Sequence, residues 1–227
     1  MTFIHKPIEL NELDTVTISG GRHYVTPSGN YPSITTVLSV LSRDSIKAWR
    51  AKVGEKEANR ISTQAARRGT NVHSLCEDYL NNKELPKMMP NELAMFRSIK
   101  PILDERINTI YAQEAPLYSD YLGVAGRVDC IAEFDGRLSV IDFKTSRKPK
   151  KKEWISNYFQ QASAYCVMFE ERTGTPIDKI VIIVAVSGDD GEVLEPQVFV
   201  EKRDNYIFEC IKTIEQYKAE KQWSGNM

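Results

Sequence analysis

Residues 126–144 read GRVDCIAEFDGRLSVIDFK, and this stretch decides how the chain folds around its polar side chains. Asp135-Gly136 separates two segments rich in apolar and β-branched residues, a pattern that predicts a hairpin with a two-residue turn. In such a hairpin Phe134 faces Arg137, and by the same register Asp129 faces Asp142. Because side chains alternate across a strand, both carboxylates are expected on one face of the sheet.

The two aspartates would then lie closer than like charges tolerate. β-Carbons of directly opposed residues are about 4.5–5.5 Å apart, and like charges at that distance destabilise the ladder. Either one carboxylate is protonated or a cation lies between them, and oxygen ligands at this spacing suit Mg²⁺ or Mn²⁺. Lys144, two residues after Asp142, adds an ammonium able to stabilise negative charge on a phosphorus centre. A shifted register, which would separate the aspartates, is the alternative.

Hydrophobic periodicity predicts the elements on either side of this hairpin. Helices come first and strands follow, so the chain is predicted to be a layered α/β or α+β domain with an N-terminal helical part. The predicted helices are 33–41, 44–53, 55–80 with an interruption at Gly69-Thr70, 91–107 with a kink or break at Pro101, 153–172 with Trp154 in its apolar stripe, and 204–222. The predicted strands are 15–18 and 23–26 around Gly20-Gly21, 109–117, 123–134, 137–144, 178–187 and 193–201, the last two joined by a turn at 189–191.

Polar residues outside the hairpin are candidates to join the aspartates. His73 lies at the edge of the buried stripe of its helix, with Glu77 one turn further on. Gln161 and Tyr165 are four residues apart on a later helix, so both project from one edge of it. Glu114 lies in the first strand of the meander, within reach of the same place. Each has an ordinary alternative: a boundary histidine, a packed tyrosine beside a helix-edge amide, or a glutamate that points elsewhere.

Composition places the chain among ordinary globular proteins. It has 227 residues, of which 41% are hydrophobic and 27% charged, enough for one domain with an elaboration and no need of disulfides. No apolar run approaches the roughly 18 residues of a membrane span, and residues 1–10 show no apolar signal core, so a cytoplasmic protein is expected, in the host cytoplasm if the source is viral. The four cysteines are scattered without a Cys-x-x-Cys pair, which favours reduced core residues.

Charge is balanced overall but unevenly distributed along the chain. Lys and Arg number 30 and Asp and Glu 31, so net charge alone indicates no partner. Residues 43–70 nevertheless carry eight basic and three acidic side chains, and residues 144–152 carry six basic side chains and no acid. A polarised surface that binds a polyanion is one interpretation, and solvated helix and loop faces are the other.

Four motifs together resemble the PD-(D/E)xK nuclease superfamily, specifically its RecB-like branch. They are Arg68-Gly-Thr-Asn-Val-His73-Ser-Leu-Cys-Glu77, Gly126-Arg-Val-Asp129, Ile141-Asp142-Phe-Lys144-Thr145 and Gln161-Ala-Ser-Ala-Tyr165. Their order and spacing follow the helix histidine, first aspartate, Asp-x-Lys and Gln-x-x-x-Tyr motifs of that branch. The segment from Ser33 to Trp49-Arg50 also resembles the mitochondrial genome maintenance exonucleases and their phage relatives.

The resemblance implies a restriction-endonuclease-like fold, with a central mixed sheet flanked by helices and an N-terminal helical lobe. Residues 1–105 would form the hairpin and the lobe that contributes the histidine helix, and residues 106–227 the nuclease core, within one integrated domain. It also implies that His73, Asp129, Asp142 and the Phe143 carbonyl bind metal and that Lys144 is the catalytic lysine. Gln161 and Tyr165 would position the site or the DNA backbone, with Glu77 and Glu114 in support. The implied cofactor is one or two Mg²⁺ or Mn²⁺ ions, with no iron–sulfur cluster and no ATP.

The expected activity is metal-dependent hydrolysis of DNA by an exonuclease acting on single strands or DNA ends, in repair, recombination or replication. Trp49 or Tyr31 could stack on bases of a single strand, as could Trp154, although Trp154 is expected in the core. A structure-specific endonuclease, a non-catalytic DNA-binding module and a small-phosphate hydrolase are the alternatives. DNA is the expected partner, and no membrane is expected. The residues expected to contact DNA are Trp49, Arg50, Arg67, Arg68, Arg147, Lys148, Lys150, Lys151 and Lys152.

Overall fold

A six-stranded mixed sheet forms the centre of the computed structural model, which describes residues 2–19, 21–188 and 192–225, with side chains described to residue 221. Its strands run β1 (Ile4–His5), β5 (Ile107–Ser119), β6 (Val124–Phe134), β7 (Arg137–Ser146), β8 (Lys179–Val186) and β9 (Leu194–Lys202), in that spatial order. β1 with β5 and β7 with β8 are parallel, and the other neighbours are antiparallel. This is the expected restriction-endonuclease-like arrangement.

Helices cover both faces of this sheet. They are α1 (Ile34–Leu38), α2 (Arg43–Val53), α3 (Glu55–Leu80), α4 (Pro90–Arg106), α5 (Ser156–Thr173) and α6 (Ile207–Gly225), with 3₁₀ turns at Ser39–Leu41, Lys152–Trp154 and Arg203–Asn205. One face packs on α1, α5 and α6 through a cluster that includes Ile131, Val140 and Phe159. The other packs on α3 and α4 through a cluster that includes Leu75, Phe96 and Ile141. The strands therefore read as nearly continuous apolar runs, since both faces are buried.

The hairpin has the predicted register. Phe134 pairs with Arg137, and the ladder continues without a shift to Cys130 opposite Ile141. Asp135 and Gly136 both have positive φ, 51° and 72°, as the tight turn that matches strand twist requires. The predicted turn at 189–191 lies outside the described residues, as does Gly20 of the first predicted hairpin.

A small sheet precedes the helices and attaches to the main one. β2 (Thr15–Ile18), β3 (Gly21–Thr26) and β4 (Gly29–Pro32) are antiparallel, and the sequence analysis missed β4 as well as β1. Ser33 forms a bridge to Ala125 of β6 and also caps α1, its Oγ accepting the Thr36 N–H at 3.1 Å. The small sheet is thus fixed beside β6.

The interruption predicted at Gly69-Thr70 does not occur, and α4 is not broken at Pro101, where a kink or a break was predicted. α3 continues through Gly69, where glycine costs about 1 kcal/mol of helix propensity but the next turn buries Val72, Leu75 and Cys76. α4 continues through Pro101, whose position is solvent-exposed, so the carbonyl that loses its helical partner can be hydrated. In both helices, burial of an apolar face outweighs the local preference.

The prediction that Trp154 belongs to a helical core stripe is wrong. α5 begins at Ser156, and Trp154 lies before it in a 3₁₀ turn with 65% of its surface exposed. Ile155 and Phe159 are buried at the start of the helix, and the indole is not part of the buried face.

Two further expectations concern the cysteines and membrane-spanning helices. All four cysteines are buried with free thiols, and burial raises the pKa of each. Among the described helices, none has the length and apolar content needed to cross a membrane.

Candidate active site

The site begins where the hairpin strands separate. The ladder between β6 and β7 ends at Cys130 and Ile141, and beyond it the Asp129 Oδ2 accepts the Phe143 N–H at 2.8 Å. The carboxylate therefore occupies the gap between the strands in place of a backbone carbonyl. The aspartates are adjacent as predicted but do not oppose each other in a continuous ladder, which relieves the like-charge contact.

His73 reaches this gap from the middle of α3. Its Nε2 hydrogen-bonds the Phe143 carbonyl, and its Nδ1 lies 3.5 Å from the Asp129 Oδ2. The helix carries it there because Val72 and Cys76 are buried against the sheet, which leaves His73 at the margin of the buried stripe. His73 thus contacts two other expected metal ligands, the Asp129 carboxylate and the Phe143 carbonyl.

Glu114 enters the site from β5. Its φ is 44°, a left-handed conformation that is strained for a residue with a side chain. A regular β-strand does not contain this conformation. Arg127 of β6 donates through Nη1 to the Glu114 carbonyl and through Nη2 to the Glu12 Oε2 at 2.7 Å. The guanidinium therefore holds the irregular backbone that aims Glu114 at Asp129.

Donor atoms of His73, Glu114 and Asp129 lie within 4.8 Å of one another. Ligands of one octahedral ion with bonds of about 2.0–2.1 Å are separated by roughly 3–4 Å, so a small inward movement would close the set on a cation. Two carboxylates and an imidazole suit Mn²⁺, and Mg²⁺ less because of the nitrogen ligand. The donor set fits a divalent metal.

The surroundings of Glu114 disfavour the ionised form of its carboxyl group. Burial, followed by the charge of Asp129, raises its pKa to about 7, and the charge of Glu77 acts in the same direction. Glu77 does not enter the cluster of donor atoms but lies close enough to influence it. A bound divalent ion would reverse this effect, because it favours the ionised carboxylate.

Asp142 and Lys144 form a buried ion pair beside this cluster. The Lys144 Nζ lies 2.7 Å from the Asp142 Oδ2, whereas the Oδ1 has no hydrogen-bond partner within the described part of the chain. Burial raises the pKa of Asp142 to about 6, although Lys144 opposes that change. Burial would lower the pKa of Lys144, but Asp142 and Asp129 outweigh it and the pKa is raised. Asp142 lies outside the 4.8 Å group, and its unpaired Oδ1 can still accept a cation.

Helix α5 fixes the lysine from the other side. Gln161 accepts from the Lys144 Nζ through Oε1 at 3.3 Å and lies 3.5 Å from the Tyr165 hydroxyl through Nε2. Gln161 and Tyr165 are both buried, so the geometry supports positioning of Lys144 rather than contact with a DNA backbone. Tyr158 adds its ring, whose centroid lies 5.1 Å from the lysine nitrogen.

Gly126 provides the space that Tyr165 occupies. A β-carbon at this position would lie 2.7 Å from the Tyr165 Cε1 and 2.8 Å from its hydroxyl oxygen. We expect Gly126→Ala to destabilise the fold by about 1–3 kcal/mol, because the tyrosine must move in a packed core. Thermal unfolding would measure this as a lower Tm.

Gly69→Ala is the matched control. A β-carbon there would lie 3.8 Å from the Thr145 Oγ1, an ordinary contact, and alanine favours a helix interior by about 0.5–1 kcal/mol. An equal fall in Tm for the two variants would contradict the proposed close packing of Gly126 against Tyr165.

The basic residues expected to bind DNA divide into paired and unpaired groups. Ion pairs engage Arg50 with Glu55 and Lys152 with Glu201. Arg67 has no ion-pair partner within 4 Å among the described residues. Burial and the charge of Arg147 lower the pKa of Arg68, as expected for two guanidinium groups held near each other. An anion between them would relieve that repulsion.

Sequence reasoning missed Arg127 and Tyr158 as site residues. Arg127 lies inside the quoted Gly126–Asp129 motif, but its contact with Glu114 depends on the β5–β6 register, which the gap at residues 118–122 between the predicted strands does not fix. Tyr158 fits the apolar stripe of the helix predicted over 153–172, which is an ordinary core role. An aromatic residue one turn before Gln161 was the available signal.

Comparison with known proteins agrees with this geometry. The profile of the PD-(D/E)XK nuclease superfamily matches residues 92–222, which is 131 of the 227 residues. The chain belongs to the PD-(D/E)XK nuclease superfamily. It is therefore a nuclease-type chain of a superfamily that uses divalent metals, and the matched range contains Glu114, Asp129, Asp142 and Lys144. His73 precedes that range.

Curated relatives of this chain are exonucleases. Mitochondrial genome maintenance exonuclease 1 of Homo sapiens is 25% identical over 206 residues, covering 84% of this chain and 59% of the human protein. The Mus musculus protein of the same name is 29% identical over 131 residues, covering 52% and 38%. The chain thus spans well under two thirds of the length of these relatives. An alkaline exonuclease from Laribacter hongkongensis, 14% identical, superposes with a TM-score of 0.38 over 68% of this chain and 79% of that one.

Proposed function

We propose that this chain is a Mn²⁺- or Mg²⁺-dependent deoxyribonuclease that removes nucleotides from single-stranded DNA or DNA ends, in repair, recombination or replication. The observation that carries the proposal is the convergence of His73, Glu114 and Asp129 beside the half-buried Lys144. Superfamily membership and the exonuclease relatives support it.

The proposed metal ligands are His73, Glu114, Asp129 and the Phe143 carbonyl, with Asp142 joining them through its unpaired Oδ1. A bound ion supplies phosphate charge neutralisation and a water of lowered pKa. The protein keeps these donors in place through the Asp129 contact with the Phe143 N–H and the Arg127 contact with Glu114. Both contacts direct donor atoms toward the same place in the site.

Lys144 is the proposed catalytic lysine. Its side chain is 19% exposed, so the ammonium is held by Asp142 and Gln161 yet remains accessible from solvent. There it can donate a hydrogen bond to the attacking water or to a phosphate oxygen as negative charge develops. Asp142 keeps the lysine protonated, because an adjacent carboxylate favours the charged ammonium.

Phosphate contacts outside the reacting group are proposed for two basic segments. The first is the exposed α2 with the N-terminal half of α3, which carries Trp49, Arg50, Arg67 and Arg68. The second is the loop after β7, which carries Arg147, Lys148, Lys150 and Lys151. We propose that residues 1–105, integrated with the core at 106–227, form a lobe that guides a strand end, which favours an exonuclease. Such contacts set affinity and not sequence preference.

Digestion of labelled linear and circular DNA tests the function. We expect release of mononucleotides or short products from linear single strands with Mn²⁺ or Mg²⁺, none with EDTA, and none from circles. Cleavage of circles would favour the structure-specific endonuclease instead. Binding without cleavage in any divalent metal would favour the non-catalytic module. Inhibition by free nucleotides, with no DNA product, would favour a small-phosphate hydrolase.

Salt dependence tests the loop after β7. We expect Lys150→Ala with Lys151→Ala to weaken binding to single-stranded DNA and to reduce the slope of log K against log salt by about 1.4, since each contact contributes about 0.7. Titration at several salt concentrations measures it. Lys152→Ala is the matched control, because Glu201 already pairs with that ammonium and no change in slope is expected. Equal slopes for wild type, the double variant and Lys152→Ala would mean that Lys150 and Lys151 face solvent and do not contact DNA phosphates.

A further inference from the structure

The loop between β7 and α5 presents an indole to solvent. Trp154 is 65% exposed, while Ile155 next to it is buried and anchors the turn. A large exposed aromatic side chain loses water-accessible area only when something binds to it. The proposed catalytic machinery makes no use of this residue.

The loop is held firmly although it has little regular structure. The Gln197 side chain of β9 accepts the Lys150 N–H at 2.6 Å and donates to the Lys150 carbonyl at 3.0 Å. Trp154 N–H donates to the Lys151 carbonyl at 3.0 Å, and Lys152 pairs with Glu201. An aromatic side chain on such a fixed backbone can bind a ligand at a lower cost in conformational entropy than one on a loose loop.

Trp154 lies close in sequence to an aromatic residue that contacts the catalytic lysine. It precedes Tyr158 by four residues, and the Tyr158 ring lies 5.1 Å from the Lys144 Nζ. The turn that carries the indole therefore leads directly into the first turn of α5, which contacts the catalytic lysine.

The charge around the indole suits a nucleotide. The Lys151 Nζ lies 5.1 Å from the indole centroid, so a cation accompanies the aromatic surface. Other exposed aromatic residues lack this setting: Tyr121, 76% exposed, follows Asp120 and its N–H faces Glu171, and Phe208, 72% exposed, adjoins Glu209. Only a ligand with both a flat apolar face and negative charge uses the indole and the lysine together.

We propose that Trp154 is a stacking platform for a nucleobase of the substrate strand, and that it favours single-stranded over duplex DNA. The proposal rests on the function proposed above. A base in a single strand can place its face on the indole, whereas a paired base is already covered by its neighbours in the duplex. Lys151 would contact the adjacent phosphate.

Binding of a fluorescein-labelled oligothymidylate in EDTA, which prevents cleavage, tests the proposal. Stacking contributes about 1–3 kcal/mol per base, so Trp154→Ala is expected to raise Kd by roughly 5- to 150-fold, and Trp154→Phe much less. The same oligonucleotide made entirely of abasic units should bind wild type and Trp154→Ala equally, because no base remains to stack. The salt slope should be the same for both proteins, which separates stacking from phosphate contacts.

Two results would overturn the proposal. The first is an unchanged Kd for Trp154→Ala on oligothymidylate. The second is an equal loss on the abasic strand, which would make the indole a support for the loop rather than a base contact. Neither result affects the nuclease proposal if wild type binds and degrades DNA. If wild type binds no DNA, the stacking proposal and the nuclease proposal are both wrong.

Discussion

Asp142→Asn and Lys144→Ala are each expected to reduce DNA cleavage by about 10³-fold or more while binding to DNA survives. Lys144 places its ammonium where charge develops, and Asp142 keeps that ammonium protonated and fixed at 2.7 Å. Single-turnover digestion measures the loss, and titration of the same variants with labelled DNA in EDTA measures binding. Activity near the wild-type level in either variant would remove the basis of the mechanism.

The same two residues allow structural damage to be separated from chemical loss. Removing one partner of a buried ion pair leaves an uncompensated charge and costs about 3–5 kcal/mol, whereas removing both costs much less. Asp142→Asn combined with Lys144→Met should therefore recover most of the Tm lost by Lys144→Ala but none of the cleavage. Lys179→Met is the control, since it removes another buried lysine, one bonded to the Phe134 carbonyl at the far end of the hairpin, and should leave cleavage intact.

Glu114→Gln is expected to stabilise the metal-free protein at pH 7.5 and to weaken metal binding. The folded protein raises the pKa of Glu114 from 4.5 to about 7, so stability present below pH 4.5 is lost as pH rises through 7. Glutamine cannot ionise, so the variant does not lose this stability. Because Glu114 is partly exposed, solvent screening makes the difference in free energy of unfolding smaller than the pKa shift implies. If about 1 kcal/mol remains after screening, the Tm in EDTA should rise by roughly 2–4 °C.

Manganese should reverse the order of the two proteins. Ligand at 100 times its Kd stabilises the folded state by about 2.7 kcal/mol, which wild type gains and Glu114→Gln largely loses. Thermal unfolding at pH 5.5 and 7.5, with EDTA and with Mn²⁺, measures both effects. Glu133→Gln is the control, because this glutamate of β6 bonds the Tyr111 hydroxyl away from the cluster and should behave as wild type. Identical Mn²⁺ stabilisation of wild type and Glu114→Gln would exclude Glu114 as a ligand.

Local sequence determined the hairpin and most elements of the core. Asp135-Gly136 fixes its own turn conformation, and a two-residue turn leaves one register for β6 and β7, so the adjacency of Asp129 and Asp142 was predictable. The same holds for α5 and β8, whose apolar patterns match their burial. At Gly69 a local preference competed with long-range packing, and the prediction of an interruption was wrong because the burial of a whole helix face stabilises α3 by more than glycine destabilises it.

The residues that complete the site were decided by tertiary structure. Glu114 joins Asp129 only because β5 and β6 pair in one register and Arg127 holds a backbone with a φ of 44°, neither of which leaves a periodic signal in sequence. Sequence alone determined that two aspartates and a lysine would meet on one hairpin, because that outcome depends on alternation over a few bonds. Contacts between distant segments bring Glu114 and His73 to Asp129 and leave Trp154 exposed. Only the folded chain brings those segments together.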